Sequence, residues 1–373
     1  MVREAGAGER LFDVADRRDA VVGVSVLAWL VAFGPAPAVG RGRSGRVGYA
    51  GRVATRLLAL SLVYLPLVLL LAAALQPSAA VERLLVMLGA PALAALTLAT
   101  LGGYRALAFA CAATVLAHAI DLVAGSPLTQ LSLAGPNPAA GHRYYGIGNE
   151  LEAILVVLVL GGAGAALSVP VRFMPLMGAK GEPEGAAARL RGAGAFLAIA
   201  VAAAFVFAYG RYGADVGAAI VLPLGGAIAA ALLLERPRLA LLALFLPLPA
   251  LALLAVADLL SGADAHLTST VLQAGSGGDV LDVLWRRLRE AGESFGRPLL
   301  LAGLPFVLAG ATFAWLRRDR IAAWLRPVPA MRAGLGGATA AILVATVAND
   351  SGALLLELGA VYLAALLAFA WAE

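Results

Sequence analysis

The chain of 373 residues has one cysteine, one lysine, three histidines and only 14% charged residues. A lone Cys111 excludes an intrachain disulfide and any cysteine-built zinc or iron–sulfur site. Charge this sparse excludes an ordinary soluble domain, in which about a quarter of residues are charged. It also excludes a disordered chain or a charged coiled coil. Several catalytic signatures are missing as well. There is no G-x-x-x-x-G-K-[ST] phosphate loop, no H-E-x-x-H helix and no G-x-S-x-G elbow. Ser351 beside Asp350 has no placed base, which argues against intramembrane proteolysis.

What is present is apolar. Hydrophobic residues make up 61% of the chain, and the mean hydropathy is +0.89. The excess falls in blocks of about 18–22 residues nearly free of charge, the length that carries a helix across a bilayer. Such blocks lie near 20–37, 57–75, 84–101, 104–124, 150–170, 193–209, 214–234, 239–260, 298–316, 333–347 and 353–371. The fold expected is all-α: a polytopic membrane bundle of about 10–11 transmembrane helices. Residues 1–19 form an N-terminal tail and 20–373 a single transmembrane domain. The first block ends in Gly34-Pro35-Ala36-Pro37 and the tenth is short, so these two have the weakest claim to a full crossing. The tail holds five acids and four arginines, unlike the basic start that a cleavable leader has.

The net charge of +5 is no nucleic-acid footprint, because most arginines sit in short loops, where they set topology. One set holds Arg41, Arg43, Arg46, Arg52 and Arg56, then Arg105, then Arg172, Lys180, Arg189 and Arg191, then Arg236 and Arg238, then Arg317 to Arg332. The alternate loops are poorer. By the positive-inside rule the rich set is cytoplasmic. The loops 125–149 and 261–297 are then extracytoplasmic and the C-terminus is cytoplasmic. A re-entrant first block with a cytoplasmic N-terminus is the alternative. An echo between His118-Ala-Ile-Asp121-Leu-Val-Ala-Gly and Val256-Ala-Asp258-Leu-Leu-Ser-Gly points to a parallel repeat, with compositional coincidence as the rival explanation.

The unusual polar residues gather on the side expected to be outside. Asp121, the loop Arg143-Tyr144-Tyr145-Gly-Ile-Gly-Asn149-Glu150 with Glu152, Arg211 and Asp215, Asp258, and Asn349-Asp350 all fall at outer span ends. Asn149 suits a cap, with Glu150 and Glu152 in the first turn, where the helix dipole favours negative charge. Tyr144 and Tyr145 suit interfacial anchors. The functional reading pairs Arg143 with Glu150 around a site for a phosphate or sugar. His118 and Asp121, three apart, share a helical face and suit either a proton relay or a packing pair. Arg211 and Asp215 suit a local ion bridge, and Asn349-Asp350-Ser351 a cap on the last span. Glu357, inside that span, is costly in lipid and should face a polar interior. Residues 277–290 alternate apolar and charged as an amphipathic interfacial helix does. No cofactor is implied, and three histidines do not make a metal site without carboxylates.

The ordered segments Asp121-Leu-Val-x-Gly-Ser-x-Leu, Arg143-Tyr-Tyr-Gly-Ile-Gly-Asn-Glu150, Tyr212-Gly-Ala-Asp-Val-Gly217, Gly277-Gly-Asp279 and Asn349-Asp-Ser-Gly352 resemble a family of uncharacterised bacterial polytopic membrane proteins. The likeness runs over most of residues 110–355. It implies a multi-pass protein of the bacterial cytoplasmic membrane. Some members carry an alkaline-phosphatase-like domain ahead of the spans, and no such domain lies within these 373 residues.

Three functions follow as expectations. The first is transport or flipping of an anionic, lipid-linked cell-envelope intermediate at the outer face, with membrane lipids as partners and no nucleic acid. The second is a membrane-embedded glycosyl- or phospho-transferase with an outer carboxylate as general base. Against it, the first outer loop, between spans 2 and 3, lacks the acid pair that polyprenyl-phosphate glycosyltransferases place there. The third is a scaffold for a separate extracytoplasmic enzyme.

Overall fold

The computed structural model describes residues 17–40, 45–136, 145–169, 185–246, 249–253, 256 and 277–373. Among them the regular structure is helical throughout. In chain order the helices are α1 (Val24–Phe33), entered through a π turn over Asp19–Gly23, α2 (Ala36–Gly40), α3 (Arg46–Leu75), α4 (Ala79–Thr100), α5 (Gly103–Val123), α6 (Asn149–Leu167) and α7 (Ala186–Ala208). They continue with α8 (Val216–Leu233), α9 (Pro237–Ala243), α10 (Gly277–Ser294), α11 (Pro298–Leu316), α12 (Arg318–Leu325), α13 (Pro329–Ala348) and α14 (Gly352–Ala372). Alanine, leucine and valine dominate these segments, so each satisfies its own backbone polar groups within one helix, as lipid requires. Among the described residues nine helical segments are long and apolar enough to cross a membrane, and a bent pair supplies a tenth. The chain is an all-α, multi-pass membrane bundle.

Most expected spans coincide with helices, and four begin earlier than expected: the second, the third at Ala79, the sixth at Ala186, and the tenth. The second begins at Arg46 rather than 57, because Arg46, Arg52 and Arg56 occupy its first turns instead of ending it. The tenth is not short: α13 starts at Pro329 and runs 20 residues, with Arg332 inside its first turn. Long arginine side chains reach the interface from within a helix, so a charge does not mark the boundary. The first crossing breaks at Gly34-Pro35 and resumes as α2. Of the span expected over 239–260, the described part contains α9, and much of the remainder lies outside the described residues, as does Asp258 of the repeat.

Helix α6 is the centre of the bundle, buried over most of its length and packed against α5, α7, α8, α13 and α14. Its contact with α13 is made backbone to backbone. A Cβ on Gly334 would lie 2.5 Å from the Leu160 carbonyl oxygen and 3.1 Å from Gly164 Cα. Small residues permit such close approach where lipid offers no hydrophobic drive between helices. Helix α11 is peripheral, resting mainly on α14 and leaving Phe306 and Trp315 exposed. It meets α12 at a bend of 72°.

The two ends of the bundle differ in chemistry. One carries arginines, with ion pairs Arg56–Glu373 at 2.7 Å and Arg189–Glu235 at 2.9 Å. The other gathers the starts of α4, α6, α8 and α14 with the ends of α3, α5, α7 and α13. Helix α10 is anchored at that second end, where Ser294 Oγ accepts a hydrogen bond from Ala353 N at 3.0 Å.

Candidate functional site

Three helix starts converge at the second end, and each brings a carboxyl group. Glu152 lies in the first turn of α6 and is 1% exposed. Asp215 is the N-cap of α8, where its Oδ1 accepts from Gly217 N at 3.0 Å. Asp350 stands just ahead of α14. Unpaired N–H groups at a helix start make a positive end that favours such charges.

Glu152 is the hub. Its Oε2 accepts a hydrogen bond from the Asn349 amide at 2.8 Å, and its carboxyl group lies close to that of Asp215, which is also buried. The other oxygen, Oε1, rests over Gly217, where a methyl group would come within 2.6 Å. Glycine at 217 is therefore what lets the α6 carboxyl reach the start of α8. A second amide–carboxyl bond lies beside the first, from Asn149 Nδ2 to Asp350 Oδ1 at 3.0 Å. Two neighbouring buried carboxyl groups repel each other when both are ionised, and a single proton between them relieves that repulsion.

Two residues before Glu152 on the same helix, Glu150 makes an ion bridge. Glu150 Oε1 binds Arg18 Nη1 at 2.7 Å, and Arg18 Nη2 donates to the Gly135 carbonyl at 3.0 Å. The neighbouring Arg17 donates to Pro77 O at 3.3 Å and stands 3.9 Å from the buried Glu82. The loop ahead of α6 is fastened to the α7–α8 turn by Ile147 N donating to Gly213 O at 3.0 Å. Gly213 has no room for a side chain, because a Cβ there would run into the Phe207 carbonyl.

Several expected roles change. Asn149 does not cap α6: it is the first helical residue, Gly148 is the N-cap, and its side chain crosses to Asp350. Asn349 ends α13 rather than capping α14, and its amide serves Glu152. His118 and Asp121 are not paired by a hydrogen bond. Asp121 accepts from Leu128 N at 2.9 Å and Thr129 N at 2.8 Å, tying down the loop after α5. His118 Nδ1 meets the Thr114 carbonyl at 2.8 Å, and its buried Nε2 has no hydrogen-bond partner. Asp215 also serves as the N-cap of α8. Glu357 stands apart from the cluster, in the seam between α14 and α11, against Gly303. Tyr145 is 44% exposed. Arg143, Tyr144 and Asp258 lie outside the described residues.

Sequence reasoning missed Arg17, Arg18, Glu82 and Gly217. Glu82 had a signal, as an acid in the first turn of an apolar helix. Arg18 had none, because nothing local links a residue before the first span to the start of the fifth. Three of the ordered motif segments, those holding Asn149-Glu150, Asp215-Val-Gly217 and Asn349-Asp350, meet in this one cluster. Comparison with protein-family models, curated proteins and solved structures returns no match.

Proposed function

We propose that the protein moves an anionic, lipid-linked cell-envelope intermediate at its carboxylate-rich end, which faces outward, and couples that movement to a proton held between Glu152 and Asp215. The observation that carries this reading is the neighbouring pair of buried carboxyl groups, Glu152 and Asp215, the first held by the Asn349 amide and lying two residues after Glu150 of the Arg18–Glu150 bridge. Intramembrane carboxyl groups are expensive to bury and recur where protons or ions pass. Arginine beside the cluster suits an anionic headgroup, because a guanidinium binds phosphate through two parallel N–H bonds. A transferase is less well supported: Asp121 is occupied by two backbone amides, and Glu150 by Arg18.

The test is reconstitution into liposomes with a fluorescent polyprenyl phosphate and an imposed pH gradient. Wild-type protein should exchange the lipid between leaflets at a rate that follows the gradient. Glu152→Gln should abolish that dependence while the protein remains folded. Exchange that ignores the gradient in the wild type would remove the proton from the mechanism.

A further inference from the structure

Between α3 and α4 the surface is indented by an apolar groove of about 340 Å³. Val68, Ala72 and Gly89 line it together with Leu75, Leu85 and Leu96. Val68 and Ala72 are buried, while Leu75 and Leu96 are exposed on either side. Gly89 accounts for much of the space: a Cβ there would touch only Val68 Cγ1, at 3.7 Å. The groove opens on the outside of the bundle, where a membrane protein meets hydrocarbon, so its natural occupant is a hydrocarbon chain.

The upper end of the groove is charged. Pro77 follows Leu75 by two residues, and Glu82 precedes Leu85 by one helical turn. Arg17 donates to the Pro77 carbonyl and stands 3.9 Å from Glu82. The next residue, Arg18, reaches Glu150, two residues from Glu152 of the carboxyl cluster. Two consecutive arginines therefore link the top of the apolar groove to the proposed proton site. Arg18 uses one N–H of each terminal nitrogen in its bonds to Glu150 and Gly135 and its Nε is buried, which leaves the second N–H of each terminal nitrogen to meet a phosphate.

We infer that the α3–α4 groove seats the chain of a polyprenyl phosphate lipid, with its phosphate held at Arg17 and Arg18. The inference rests on the proposed handling of a lipid-linked anion and names where that substrate lies. A single unbranched seam between two helices fits one chain. A diacyl lipid would leave its second chain on the leucine ridges.

The experiment uses the full chain, purified in detergent, and a photoreactive polyprenyl phosphate, with photoreactive phosphatidylglycerol and polyprenol as comparators. Native mass spectrometry reads lipid retained, and peptide mapping reads where the label attaches. Adducts should fall within 68–75 and 85–96. Gly89→Leu should lower polyprenyl phosphate retention roughly tenfold or more, the equivalent of displacing about two buried methylenes. Ala92→Phe provides a second filling of the same groove should Gly89→Leu fail to fold. Arg17→Gln and Arg18→Gln should erase the preference for the phosphate over the alcohol. Retention with adducts elsewhere and indifference to both filling variants would overturn the groove and leave the proposed function standing. Phosphatidylglycerol labelling the groove as well as polyprenyl phosphate would overturn the choice of occupant. No retention of polyprenyl phosphate at all would overturn the groove and the transport reading together.

Discussion

The Asn349 side-chain amide donates to Glu152 Oε2 across 2.8 Å, joining residues 197 apart in the chain. The bond fixes the end of α13 against the start of α6. It also fixes the amide's orientation, because only its nitrogen can serve a carboxylate, and its oxygen then turns to Ser351 N at 3.4 Å. Replacing Asn349 by Leu leaves a buried carboxyl oxygen without its donor. That should cost about 1–3 kcal/mol, read as a lower melting temperature in detergent. Asn349→Asp should be worse, since it adds a carboxyl group to a site that already holds two. Combining Asn349→Leu with Glu152→Leu should recover part of the loss, because replacing both buried polar partners costs less than stranding one.

Gly334 and Gly194 are both glycines within helices, yet they should respond in opposite ways. Gly334→Val drives a side chain into the α6 backbone and should destabilise by roughly 1–3 kcal/mol or prevent accumulation. A Cβ at Gly194 meets nothing within 4 Å. Gly194→Ala should therefore leave melting unchanged or raise it by about 0.5–1 kcal/mol through helix propensity. Parallel thermal melts of the two variants check the packing of α6 on α13.

Arg18 and Glu150 are side chains 23% and 30% exposed, so solvent screens their pair. Arg18→Gln should cost no more than about 1 kcal/mol of stability, and 0.5 M salt should shrink the difference. Its effect on lipid handling should be far larger than its effect on melting. Equal, small losses in both would assign Arg18 to structure alone.

The orientation of the two ends is open to a thiol test. Tyr145, at the carboxylate-rich end, and Arg236, at the arginine-rich end, are both exposed. Ser132 is a poor reporter for the first, being 1% exposed. In a Cys111→Ala background, Tyr145→Cys should react with an impermeant maleimide on intact cells. Arg236→Cys should react only after permeabilisation. The reverse pattern would turn the bundle over and place every site residue inside. Cys111 itself is buried and should not react in either condition.

What the sequence by itself determined is the local part: where the chain crosses, that it is helical, and which loops carry the arginines. These follow from the length of apolar runs and from charges a few residues away, so no partner need be known. Boundaries slipped only where arginines lay inside a helix, as in α3 and α13. The meeting of Glu152, Asp215 and Asn349 was settled by tertiary structure alone. Each of the three could serve as a cap or a first-turn acid within its own helix, and local chemistry does not distinguish that from a shared site. Glycine backbone contacts such as Gly334 on Leu160 set how closely α6 and α13 approach. That approach, summed over several helices, decides which of many polar side chains come within the few ångströms a hydrogen bond needs.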